Sequence, residues 1–155
     1  MTTIYTVGHG LLPADVLLAN LSRHEVAAVI DVRSQPFSRR APQFNKESLC
    51  SALEAVGISY IWMGQALGGR PPERLRTSAG APNYELMAQE PPTAAALDKV
   101  VEAAARRRIA LLCSEARPEG CHRARMLEPQ LEQRGAAVEH ILPDGALARQ
   151  PTLFV

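Results

Sequence analysis

Cys121-His122-Arg123-Ala124-Arg125 sets a thiol, an imidazole and two guanidinium groups within five residues. A thiol that opens a helix beside cations has its thiolate favoured by the helix dipole and by the neighbouring charge, so Cys121 is a candidate nucleophile. The same helix start, with Arg123 and Arg125, suits a phosphate or carboxylate. Three further clusters carry reactive types: Gly8-His9-Gly10, Asp31-Val32-Arg33 running on to Arg39 and Arg40, and Cys113-Ser114-Glu115. His9 and Glu115 are the candidates to move protons near neutral pH. Arg33, Arg39 and Arg123 are the candidates to hold an anion, since a guanidinium offers a planar fork of donors. Asp31 is expected to pair with one of these arginines and fix it in place. Cys113, His122 and Tyr84 are read as supporting residues, Cys113 with the alternative of a small core side chain ending a buried strand. His140 reads as a satisfied core histidine and His24 as a surface one.

His9, Cys113, Cys121 and His122 are also zinc-type ligands, with Glu115 close by in sequence. No pair of them shows the two-to-four-residue gap of a metal site, and adjacent Cys121 and His122 point to different sides of a helix. No metal ligand is therefore assigned, and a zinc protein is kept as an alternative reading.

The elements that must position these residues follow from periodicity. Thr3 to Val7 is a β-rich run stopped by Gly8-His9-Gly10, and Pro13 then suits the first turn of a helix with Leu17, Leu18 and Leu21 on its apolar side. Val26 to Val32 is an unbroken apolar run of strand length, the pattern of a central strand covered on both faces. Asn45 to Gly57 reads as a helix, with Asn45 as cap and Leu49, Ala52, Leu53 and Val56 at i, i+3, i+4 and i+7. Ile58 to Trp62 is a third strand. Thr93 is expected to cap a helix bearing Leu97, Val100, Val101 and Ala104, before a fourth strand at Ile109 to Cys113. A helix from about Cys121 to Arg134, with a kink or break near Pro129, precedes a fifth strand at Ala137 to Leu142. Strands alternating with helices predict a single three-layer α/β/α domain over 1–155, with a mostly parallel sheet of about five strands. Ligands of such sheets bind outside the carboxyl ends of the strands, where all four reactive clusters fall. The segment 66–92, rich in Pro and Gly and holding Arg70, Arg74 and Arg76, reads as a long loop that could serve as a lid.

Several blocks carry a resemblance. TVGHG, DVRSQPFSRRAPQFNKESL, the stretch from Gly57 to Gly69, Tyr84, LLCSEARPEGCHR and VEHI occur in one order across nearly the whole chain. Together they resemble the family known as domain of unknown function 488, which implies that family's fold and pocket and names no reaction. Gly10 stands where relatives often carry Ser. The placement of a Cys-bearing loop between strand and helix is also similar to rhodanese-type sulfurtransferases, but their short loop opening on Cys and closing on Arg is missing here.

Composition narrows the remaining classes. Apolar residues make up 46% and charged ones 21%, a balance that supports a packed core rather than disorder. Seventeen Lys and Arg against sixteen Asp and Glu leave a formal charge of +1, which argues against bulk attraction to nucleic acid or membrane. No apolar run is long enough to span a bilayer, and MTTIYTVGHG lacks the pattern of a signal peptide. Three cysteines cannot all pair within one chain, so a reducing cytosol is the expected setting. The expected function is a pocket protein, and by its clustered reactive groups an enzyme, acting on a small anionic ligand of phosphate or nucleotide type. The other reading is a nucleic-acid-binding module built on Arg33, Arg39, Arg40, Arg70, Arg74 and Arg76 with Phe37, Phe44 and Trp62. No cofactor and no oligomeric state follow from the sequence.

Overall fold

A computed structural model describes residues Thr2–Ala148, so both ends of the expected 1–155 domain lie outside the described residues. Five strands form one sheet: β1 (Thr2–Gly8), β2 (Ala28–Asp31), β3 (Ser59–Trp62), β4 (Ile109–Cys113) and β5 (Ala136–Ile141). Their spatial order is β3-β2-β4-β1-β5, and every pairing is parallel. The expected sheet is thus all-parallel, and β4 lies between β1 and β2, the two strands that come first in the chain.

Alternation along each strand divides the core into two. Tyr5, Val7, Val29, Ala110 and Leu112 pack with Leu17 and Leu21 of α1 (Ala14–Arg23) and with Leu49 and Leu53 of α2 (Lys46–Ala55). Ile4, Ile30, Ile109 and Leu111 face the opposite layer. Along the chain that side holds α3 (Gly64–Leu67), α4 (Tyr84–Gln89), α5 (Pro91–Ala104) and α6 (Glu128–Gln133), which contribute Leu67, Met87, Leu97, Val100 and Leu131. Each fully buried leucine here contributes about 1.5–3 kcal/mol, so the two layers hold the sheet from both sides. Connections leaving β1 and β2 pass over the first face; those leaving β3 and β4 pass over the second. At the carboxyl edge, neighbouring strands therefore send their chains apart, which opens a crevice.

Two local expectations are corrected by packing. The Asn45 side chain does not cap α2; its Oδ1 accepts from the Ser38 amide at 2.7 Å and pins the preceding loop. Thr93 does not cap α5, which begins two residues earlier at Pro91, where a proline needs no N–H partner. The buried Thr93 hydroxyl instead donates to the Ala66 carbonyl at 2.7 Å. The irregularity expected near Pro129 is present. A π-helical turn at Arg123–Leu127 runs into α6, and the proline falls in the first turn of α6, where the looser ladder absorbs the missing N–H. The 66–92 segment is also more ordered than a loop, since it holds the end of α3, a 3-10 turn at Glu73–Leu75 and all of α4.

Candidate functional site

The ends of β1, β2 and β4 are level. Gly8 pairs with Cys113, Asp31 pairs with Leu112, and the chain beyond stays tied by His9 N–H donating to the Cys113 carbonyl and Gly10 N–H to that of Ser114. The residues that follow these three strand ends therefore meet in one place.

Asp31 is fully buried and Arg33 nearly so. Arg33 donates from Nε to Asp31 Oδ1 at 2.9 Å and from Nη2 to Oδ2 at 2.7 Å, the forked geometry of a strong pair. Its backbone amide also donates to Oδ1 at 3.0 Å, and the Tyr60 hydroxyl donates to Oδ2 at 2.6 Å. Burial, and then this bond to a carboxylate, push the Tyr60 pKa up, so the phenol keeps its proton and remains a donor. Asp31 thus has four donors around its two oxygens, and the expected partner among the three arginines is Arg33.

His9 sits behind this pair. Its Nε2 lies 3.3 Å from Arg33 Nη1, which can only donate, so the ring proton is on Nδ1 and points to the Gly10 carbonyl at 2.8 Å. Burial is the main reason its pKa falls below 6.5, and the Arg33 charge adds to it. The sign for stability follows. As pH drops through 6.5 the unfolded chain takes up a proton that folded His9 refuses, so stability is lost on the acid side. The urea midpoint of the parent should fall between pH 7.5 and 5.5, and His9→Gln should flatten that slope; an unchanged slope would exclude the buried neutral imidazole. His9 does not line the cleft described next and reaches it only through Arg33.

The cleft opens over β2 and β4, with a volume of about 180 Å³. Arg33, Arg70, Tyr84, Cys113, Glu115, Cys121 and His122 are among the residues that line it. Of the five N–H groups of Arg33, three are committed to Asp31 and His9, which leaves two on a side chain that borders the cleft. The two sulfurs are the closest reactive pair: Cys113 Sγ and Cys121 Sγ stand 3.2 Å apart, both residues buried. The hydrogen bond from Cys113 holds the Cys121 thiol well below the usual range, against the desolvation of burial, and His122 and the Arg123 amide act in the same direction. Cys113 moves the opposite way, raised by that same bond and by burial, so it keeps its proton, with the Glu115 carbonyl 3.6 Å away as a further acceptor. His122 Nδ1 is 3.8 Å from Cys121 Sγ, while its buried Nε2 meets no partner among the described residues.

Arg123 is fully buried and has a different place from the one expected. Its Nη1 donates to Thr6 Oγ1 at 3.2 Å, and its Nη2 to the Glu115 and Ala116 carbonyls at 3.0 and 3.2 Å. No carboxylate pairs with it among the described residues, and its Nε has no partner. It therefore shapes the Cys113–Cys121 loop and adds positive field beneath the cleft, without lining it. Thr6 passes this chain of contacts on to His140 Nδ1 at 2.5 Å, and His140 Nε2 meets Glu128 at 3.0 Å, so His140 is a partnered core histidine. Arg39 is exposed and lies off the cleft wall. Arg70 takes up that wall instead, its amide anchored on Ser34 Oγ at 3.1 Å and one guanidinium nitrogen 3.3 Å from Gln35 Oε1. The sequence places Arg70 in the 66–92 stretch and in the nucleic-acid reading, not among the anion-binding residues; its neighbours Gly68-Gly69 are the available signal. At Gly69 an added Cβ would come within 2.9 Å of the His122 ring, so the bare backbone lets this segment close on the cleft.

Two more arginines of the nucleic-acid reading have local partners, Arg74 pairing with Glu90 and Arg76 bonding the Pro71 and Gly80 carbonyls, while Arg40, like Arg39, is exposed. No group of three or more His, Cys, Asp or Glu side chains converges as a metal site among the described residues. Nor is any described helix long and apolar enough to cross a membrane.

Neither the curated proteins nor the solved structures hold a match to this chain. Residues 13–128 match the family described as domain of unknown function DUF488, a span that takes in Asp31, Arg33, Arg70 and both cleft cysteines. The chain belongs to that family.

Proposed function

We propose that the cleft binds the anionic group of a small molecule and that Cys121 attacks the bound molecule as a thiolate. The observation that carries this reading is the shared wall: Arg33, which keeps two uncommitted N–H groups, Arg70 and Cys121 line one cleft of about 180 Å³. A space of that size admits a phosphate-, sulfate- or carboxylate-sized group. A phosphorylated or nucleotide-like ligand would seat its charged end there and leave its body toward Tyr84 and the 66–92 segment, which would close over it. Asp31 and His9 act as positioning residues through Arg33, and Arg123 through the loop it braces. The Glu115 carboxylate and the His122 ring are the groups placed to exchange a proton with the ligand.

Alkylation tests both halves of the proposal. In the parent, iodoacetamide should modify Cys121 at a pH well below that needed for a free cysteine, and Cys121→Ser should abolish that fast phase. The negatively charged reagent iodoacetate should be favoured relative to iodoacetamide, and Arg70→Ala should lower that preference by about twofold to fivefold, the scale of one exposed charge. A thiol that titrates like free cysteine, with a reagent preference indifferent to Arg70, would end the proposal.

A further inference from the structure

Cys113 is the reactive group that a simple nucleophile does not use. In acyl or phosphoryl transfer a second thiol against the first has no task once the nucleophile has attacked, and it adds a route to oxidation. It gains a task when the intermediate on Cys121 carries a sulfur–sulfur bond, because a neighbouring thiol can then displace it. We infer that Cys121 and Cys113 are an attacking and a resolving thiol, and that the cleft takes a negatively charged compound containing a sulfur–sulfur bond. The inference rests on the reading of Cys121 as the nucleophile and adds the identity of the bond it attacks.

The geometry suits this assignment. The sulfurs are 3.2 Å apart, so closing to a disulfide of about 2.05 Å asks each side chain to give only a fraction of an ångström to an ångström. Cys113 is the last residue of β4 and is held opposite Gly8, which makes it the fixed member. Cys121 follows the exposed Gly120, whose positive φ and open surroundings leave the turn room to move, and is itself buried among the residues that line the cleft. Cys113 Sγ also stands 3.6 Å from the Glu115 carbonyl, an acceptor beside the thiol whose proton must leave in the second step.

The steps balance. The Cys121 thiolate attacks one sulfur of the substrate R–S–S–R′; that bond breaks, R′–S⁻ departs, and Cys121 carries a mixed disulfide to R–S. Cys113 then attacks Cys121 Sγ, the bond from Cys121 to the R–S sulfur breaks, and R–S leaves with the Cys113 proton as R–SH. Two electrons pass from the two thiols to the substrate's bond, and the protein is left with a Cys113–Cys121 disulfide. An external thiol reductant, itself oxidised to a disulfide, returns the pair to the dithiol. The arginines on the wall favour the charged substrate and the thiolate that departs.

The test uses the doubly anionic aryl disulfide 5,5′-dithiobis(2-nitrobenzoate) on the 155-residue chain carrying Cys50→Ser, which leaves two of its three cysteines. Expected is the release of two thionitrobenzoate ions per chain, with no adduct retained and a protein mass lower by two hydrogens. Cys113→Ser in the same background should release one ion and keep the other as a stable adduct on Cys121. Cys121→Ser should react slower by about tenfold or more, since the remaining thiol of Cys113 is buried at the end of β4. A parent that retains adducts on both cysteines, or on Cys121 alone, overturns the resolving role while leaving the nucleophile intact. Undiminished reaction of Cys121→Ser overturns the nucleophile itself. If Cys113→Ser does not fold, the mass of the parent's own product still decides between disulfide and adduct.

Discussion

Asp31→Ala should destabilise the protein by about 3–5 kcal/mol, the range for removing one partner of a buried ion pair. The substitution leaves the Arg33 guanidinium buried without its carboxylate and takes the acceptor from the Tyr60 hydroxyl at the same time. Against a total stability of roughly 5–15 kcal/mol for a domain, that loss brings the chain near its unfolding threshold. Urea titration checks the magnitude. The double variant Asp31→Ala with Arg33→Met should recover part of the loss, because an apolar pair needs no counter-charge, and a double-mutant cycle would report the coupling. A loss below about 1 kcal/mol would mean that the pair is solvated and that Arg33 is not held rigidly at the cleft.

Gly8→Ala is the second large effect, and it acts on the loop rather than on charge. A Cβ on Gly8 would stand 1.5 Å from the Glu115 carbonyl oxygen and 2.9 Å from Arg123 Nη2. Neither neighbour is a free side-chain end: the carbonyl accepts from Arg123, and Arg123 is wholly enclosed. The strand end and the 114–116 turn must therefore separate, at a cost of about 3 kcal/mol for forced overpacking. Because that turn leads to Cys121, the fast alkylation should slow in parallel with the fall in the urea midpoint. A Gly8→Ala variant with parental midpoint and parental alkylation rate would contradict the close approach of the two segments.

How much of this was legible beforehand differs between elements. The Ile109 to Cys113 strand was readable to the residue, since an apolar run bounded by Arg108 and Ser114 leaves no other register. The apolar spacing of Asn45 to Gly57 located α2, yet Val56, counted in its buried face, is 51% exposed, because it falls at the C-cap where the helix has already turned outward. Asn45 and Thr93 have the residue types of caps but bond a distant loop, and a side chain's choice between local and remote partners depends on packing that no spacing encodes.

By itself the sequence determined the alternation of strands and helices, the parallel three-layer architecture, and which reactive residues end strands, because these follow from local periodicity and from the chain geometry of strand–helix–strand units. Only the tertiary structure decided that β4 inserts between β1 and β2. That insertion brings the turns after Gly8, Asp31 and Cys113 together, sets Cys113 against Cys121, commits Arg33 to Asp31, encloses Arg123, leaves Arg39 outside and carries Arg70 in. Strand order and side-chain partnership are set by contacts between residues far apart in the chain, where competing burial and hydrogen bonding choose one arrangement among many that the same local pattern allows.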